Sequence, residues 1–173
     1  MMTIQQFFRP GSFRLLTITL IGLVAVPQIG CAQTRKANAA QKFATTGCDP
    51  SLWRRVYQPK RLGVMVDCIT VTGTVEETSA NEDGDQHFLL KLDAGYDALL
   101  NKVNRKKRNG DLVAEIVCAN PASGRKPKEA CAGYTNRIPL PRAGSHVKVT
   151  GTYVIDSHNG WTEIHPVSRL TLM

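Results

Sequence analysis

The sequence predicts a mainly β fold, a small five-stranded barrel with short helices over residues 48–173. Three observations predict it. Five stretches place apolar and β-branched residues in a two-residue alternation. Asn159-Gly160 separates the last two stretches, and Asn-Gly is a strong hairpin-turn pair. The first stretch is long and holds Gly73 inside it, where a bulge or a sharp bend is expected.

The elements follow in order. Cys48 to Tyr57 predicts a short helix capped by Ser51, with Leu52, Trp53 and Val56 on one side, ended by Pro59. Leu62 to Glu76 is the first strand, with Ile69, Val71, Gly73 and Val75 on one face. Glu82 to Asp85 is a turn, and Gln86 to Asp93 the second strand, with Phe88, Leu90 and Leu92 inward. One or two helical turns are expected between Tyr96 and Val103, then a basic loop to Gly110 and a third strand from Asp111 to Ala119. Residues 120–141 read as an irregular connection with a helical turn near Glu129 to Ala132. His146 to Asp156 is the fourth strand, with Val147, Val149, Tyr153 and Ile155 inward, and Trp161 to Leu172 the fifth.

Ahead of this domain lies a leader. Residues 1–31 carry Arg9 and Arg14, then an uncharged apolar run from Leu15 to Val26, then Pro27 and small residues. That run has signal-peptide length, whereas a spanning helix needs about 20 apolar residues. Ile29-Gly30-Cys31 reads as a lipobox ending at Cys31, although Gln28 stands where an aliphatic residue is preferred; cleavage after Ala32 and an uncleaved anchor are the alternatives. The lipoprotein reading is preferred, and it places the domain on an envelope membrane or, after ordinary cleavage, in the periplasm or outside the cell. Residues 32–47, rich in Ala, Thr and Lys, read as a flexible tether. Beyond the leader, 20 basic residues face 14 acidic ones, which favours an anionic partner: envelope lipid, glycan or nucleic acid.

Five cysteines are present. With Cys31 lipidated or removed, Cys48, Cys68, Cys118 and Cys131 make an even set for an oxidising compartment. Three pairings are open. Cys48–Cys68 and Cys118–Cys131 are preferred because each closes a loop-rich segment, which stabilises by about 3 kcal/mol. No Cys-x-x-Cys spacing suggests a zinc module.

Five strands, a long bent first strand and an irregular or helical link between the third and fourth resemble the OB-fold over residues 62–173. Cys48 to Gly73, Gly110 to Val113, His146 to Asp156 and Gly160-Trp-Thr-Glu-Ile-His-Pro-Val167 resemble a group of exported bacterial proteins of unknown function. In that group a His commonly precedes the Gly-Trp pair; here Asn159 stands there and His158 lies one place earlier. The resemblance implies no activity.

Two regions could make contacts. On the last strand Trp161, Glu163 and His165 share one face, with His158 in the adjoining turn. Glu163 and His165 could ligate a divalent metal, joined by His158 or by His87 with Asp83 and Asp85, but a structural polar pair is the commoner use of such residues. The second region is the basic run Lys102, Arg105, Lys106, Lys107 and Arg108, which could hold phosphate or lie as a solvated loop near anionic lipid. Aromatics make up 6% of the chain, so a base-stacking platform is not expected. No nucleophile elbow and no phosphate loop occur. The expectation is a monomeric, non-catalytic envelope protein that binds a ligand or partner and needs no cofactor. The alternative is a metal-dependent hydrolase built on the His/Glu cluster of the last hairpin.

Overall fold

A computed structural model describes residues 29–173. The leader up to residue 28, with Arg9, Arg14 and the apolar run, lies outside the described residues, as does the side chain of Cys31. Five strands close into a barrel: β1 (Leu62–Ala80), β2 (Gln86–Leu92), β3 (Leu112–Ile116), β4 (His146–Asp156) and β5 (Thr162–Leu172). The order around the barrel is β1-β2-β3-β5-β4, which is OB-fold order. Every pairing is antiparallel except β3 with β5, which run parallel through Val113–Glu163 and Ala114–Ile164.

The long first strand makes closure possible. Residues Leu62 to Thr74 pair with β4, and Gly73 to Ala80 pair with β2. Gly73 sits where the strand passes from one partner to the other. A Cβ there would run into the carbonyl of Lys91, so only glycine lets β1 and β2 approach this closely. No register shift falls at Gly73 itself; those of β1 lie between Val75 and Glu77 against β2, and between Val64 and Val66 and between Val66 and Ile69 against β4. Inward positions of every strand, including Val71, Phe88, Leu112, Val149 and Ile164, form one buried core. Ile155, read as inward, is only partly buried, whereas Tyr153 keeps its expected place in the core; Val154 is buried in a separate cluster with Leu52, Val56, Leu62 and Val117.

Both expected disulfides are present, Cys48–Cys68 and Cys118–Cys131. Two disulfides are the signature of an oxidising compartment, extracellular or periplasmic. Among the described residues no helix is long and apolar enough to cross a membrane.

Three local expectations need correction. Residues 32–47 are not an open tether. They lie largely in helix α1 (Ile29–Ala40) and a 3-10 turn (Gln41–Phe43). Ala40 is buried in the core, and Ala44 bridges to Ile69. Of the Ala, Thr and Lys content that suggested flexibility, Ala and Lys also favour helix. The cap of the 3-10 helix Pro50–Arg55 is Asp49 rather than Ser51; its carboxylate accepts from Ser51 N at 2.8 Å. The basic run is no loop: Lys102–Lys107 form helix α2, capped by Asn101, whose side chain accepts from the backbone of Val103 and Asn104. Helix α3 (Arg125–Cys131) fills part of the β3–β4 connection.

Two outcomes check this packing. A Cβ on Gly151 would lie 2.5 Å from both Ile164 Cγ2 and the Pro166 carbonyl oxygen. Gly151→Ala should therefore destabilise by about 1–3 kcal/mol in denaturant titration with the disulfides intact. Tyr153 donates to the Leu99 carbonyl at 2.6 Å, and burial pushes its phenol up to about 12. The folded value exceeds the unfolded one of about 10, so this stabilisation is complete below that pH and lost as pH rises towards 12. Tyr153→Phe should remove the late phenolate absorbance. It should cost only about 1 kcal/mol, because Thr162 Oγ1 still reaches the Leu99 carbonyl.

Candidate functional site

Strand parity decides what lies outside the barrel. On β3, Leu112, Ala114 and Ile116 point into the core, which leaves Val113 and Glu115 on the outer face. On β5, Ile164 points inward, which leaves Glu163 and His165 outside. The parallel register Val113–Glu163 brings these outward rows together, and the β2–β3 register sets His87 opposite Glu115. Trp161, Leu89 and Val113 form a small apolar cluster on this face, with Val103 of α2 packed against it.

A chain of polar contacts runs through the buried layer. Trp161 Nε1 donates to Glu163 Oε2 at 2.7 Å, and Glu163 Oε1 lies 3.2 Å from His165 Nδ1. Glu115 Oε2 is 3.3 Å from the same nitrogen, and Asp85 Oδ2 is 3.6 Å from His165 Nε2. The other Asp85 oxygen accepts from Cys118 N at 2.8 Å. Three carboxylates thus surround one imidazole, all buried. Burial pushes Asp85 up to about 6 against the opposing pull of His165, and pushes Glu115 up as well. Burial pulls His165 down, but Glu115, Glu163 and Asp85 outweigh it and hold the imidazole above its ordinary range.

Above this layer opens a cleft of about 820 Å³. Glu115 and Trp161 form part of its floor. Its walls come from the end of β1 (Glu77, Ser79), the β1–β2 turn, His87 and Leu89 of β2, Asn159 of the β4–β5 turn, and the segment 123–127. Four cations reach it: Arg61, Arg108, Arg125 and Lys126. Arg108 stacks on Trp161, its guanidinium carbon 3.9 Å from the ring centre. The Nε atoms of Arg61 and Arg108 are buried without a hydrogen-bond partner; Arg61 Nε lies 3.6 Å from Asp156. Burial, aided by the Arg108 charge, holds the His87 pKa below its ordinary value.

The structure redistributes the residues singled out in the sequence. Trp161 and Arg108 meet at the cleft. Glu163 and His165 are buried beneath it and offer no contact surface, because the strands on either side and the cleft floor cover them. His158 is exposed in the hairpin turn, where its backbone N–H donates to Asp156, and it does not join His165. His87 lines the cleft but is not among the three residues whose ligand atoms converge. Lys102, Arg105, Lys106 and Lys107 lie exposed on α2, outside the cleft lining. Of the residues named as possible ligands, the fold brings His165 together with Asp85, and not with His158 or His87. The converging set is Asp85, Glu115 and His165, one ligand atom from each lying within 4.8 Å of the others. Glu115 was missed because its neighbours on β5 lie some fifty residues away in sequence; the alternation of Leu112 to Ile116 was the available signal.

Asn104 positions Arg108. It is fully buried, donates from Nδ2 to the Asp111 and Thr162 carbonyls at 3.1 and 2.9 Å, and accepts from Thr162 N at 2.9 Å. These bonds fix α2 against β5. Its backbone carbonyl accepts from Arg108 N at 2.9 Å.

No protein-family model matches the chain, and no curated protein matches it.

Asn104→Ala would leave several buried backbone groups unpaired. It should cost about 3 kcal/mol or more in equilibrium unfolding. Lys106→Ala, on the exposed side of the same helix, should stay within about 0.5 kcal/mol.

Proposed function

We propose that this is an exported envelope protein, held at a membrane through Cys31, whose barrel binds an anionic glycan strand in the cleft over β2 and β3. Arg108 carries this reading: it lines the cleft over Trp161 with a buried Nε that lacks a hydrogen-bond partner, while Arg61, whose Nε faces Asp156, adds positive charge to the same wall. A carboxylate or phosphate group on a sugar would satisfy such a donor with a charge-assisted bond. The strand 2–3 face and the loops beside it are where OB-folds hold oligosaccharides and oligonucleotides.

The wall chemistry favours a glycan over the other anionic partners. Glu77, Glu82, Asp83 and Glu115 share the cleft with the cations, which suits one discrete anionic group among hydroxyls better than a continuous polyphosphate. Trp161 has a guanidinium on its face, so it offers a nucleic-acid base little stacking surface. The large exposed apolar residues Val64, Leu140, Leu172 and Met173 all lie outside the cleft, whose lining is mostly polar and charged, which disfavours lipid chains there.

The test compares acidic glycan strands, single-stranded DNA and anionic vesicles across a salt series. Glycan binding should be saturable, and Arg108→Gln should weaken it about tenfold, equivalent to about 1.4 kcal/mol. Unchanged glycan binding by that variant, or tighter binding of DNA or vesicles than of glycan, would overturn the reading.

A further inference from the structure

We propose that Asp85, Glu115 and His165 bind one divalent transition-metal ion, Zn²⁺ or Mn²⁺, beneath the cleft. One ligand atom from each lies within 4.8 Å of the others. Convergence of acidic groups alone would not make a site. The second observation is that Asp85 Oδ2, Glu115 Oε2 and His165 Nε2 are all buried with no hydrogen-bond partner. The residues are 1%, 3% and 1% exposed, so solvent does not serve these atoms. Buried polar atoms are ordinarily hydrogen-bonded; these are reached only by charge contacts within the cluster, Asp85 Oδ2 at 3.6 Å from Nε2 and Glu115 Oε2 at 3.3 Å from Nδ1, and one shared cation would serve all three.

The remaining groups are arranged as an outer shell. Both Glu163 oxygens are engaged, one by Trp161 Nε1 at 2.7 Å and the other by His165 Nδ1 at 3.2 Å. A carboxylate on Nδ1 holds the imidazole in the tautomer whose Nε2 carries a lone pair, the usual support for a metal-binding histidine. Asp85 Oδ2 already lies 3.6 Å from that Nε2, and its other oxygen is fixed by Cys118 N. Donors sharing an ion at about 2.0–2.2 Å stand roughly 3–3.6 Å apart; Glu115 Oε2, now 3.3 Å from Nδ1, therefore has to swing to the Nε2 side to join Asp85 on the ion. Charge points the same way. Among the described residues no lysine or arginine pairs with Asp85, Glu115 or Glu163, and one imidazole faces three carboxylates. One imidazole with two carboxylates suits Zn²⁺ or Mn²⁺, whereas an all-oxygen set would suit Mg²⁺ or Ca²⁺. Three protein ligands leave a coordination position, and Glu115 borders the cleft.

The test is metal uptake by the disulfide-intact protein. Calorimetry with ZnCl₂ and with MnCl₂ should show one saturable equivalent of at least one ion. Asp85→Asn and Glu115→Gln, checked for native circular dichroism, should each weaken binding at least tenfold, and Glu163→Gln should weaken it 10- to 100-fold. His158→Ala should bind as the parent does. Imidazole-nitrogen NMR of the unaltered protein needs no variant to fold: the ion should move the His165 resonances and leave those of His87, His146 and His158 in place. Uptake well below one equivalent, undiminished binding by both isosteric variants, loss of binding in His158→Ala, or unmoved His165 resonances would each overturn the site. Such a failure would leave the glycan reading of the cleft standing, since that rests on Arg108.

Discussion

Three carboxylates held around one buried imidazole are the most demanding feature of this fold, and its surroundings are organised to permit them. The barrel interior is too narrow and too apolar for charge, so Glu115, Glu163 and His165 occupy the outward positions of β3 and β5. Outward positions on most small barrels face water. Here the layer is closed over by Trp161 and by Arg61 and Arg108 at the cleft, while Cys118 fixes Asp85 from its other side. The result is a polar layer sandwiched between a hydrocarbon core and a charged cleft. Isolated charges in such a layer would be prohibitive, and the lateral contacts between them are what make burial tolerable.

The cleft depends on helix α2 as much as on the strands. Asn104 ties that helix to the Asp111 and Thr162 backbone, and Asn101 reaches the Gly160 carbonyl at 2.8 Å. The helix therefore spans the start of β3, the start of β5 and the hairpin turn before it. Its apolar side, through Val103, meets Trp161. Arg108 emerges at the end of this rigid unit, so its place over the indole is set by buried hydrogen bonds rather than by a mobile surface side chain.

The strands, the Asn-Gly turn and both disulfides were legible in the sequence because each is written in short-range spacing: two-residue alternation, adjacent turn residues, even cysteine count. The shared face of Trp161, Glu163 and His165 was legible for the same reason. What was not legible needed register between distant strands. Nothing local distinguishes Glu115 from a solvent-facing glutamate, and Asp85, although open to joining a site with His87, could not be told from its turn neighbour Asp83 without that register. The helical state of 102–107 was hidden by its charge; its signal was Asn101 followed three residues later by Asn104, a pair that caps reciprocally. The helix before Ala40 was hidden for a related reason: Ala and Lys serve both linkers and helices, and Ala40 packed in the core decides between them.

The Cys118–Cys131 bridge is more than a staple for the connection between β3 and β4. Cys118 has a left-handed backbone, with φ of 52°, and its amide is the donor that fixes Asp85. Sulfur chemistry and carboxylate geometry are therefore joined at a single residue. Reduction of that bridge would release the residue whose amide holds Asp85, so the redox history of a preparation belongs among the variables of any measurement made on it.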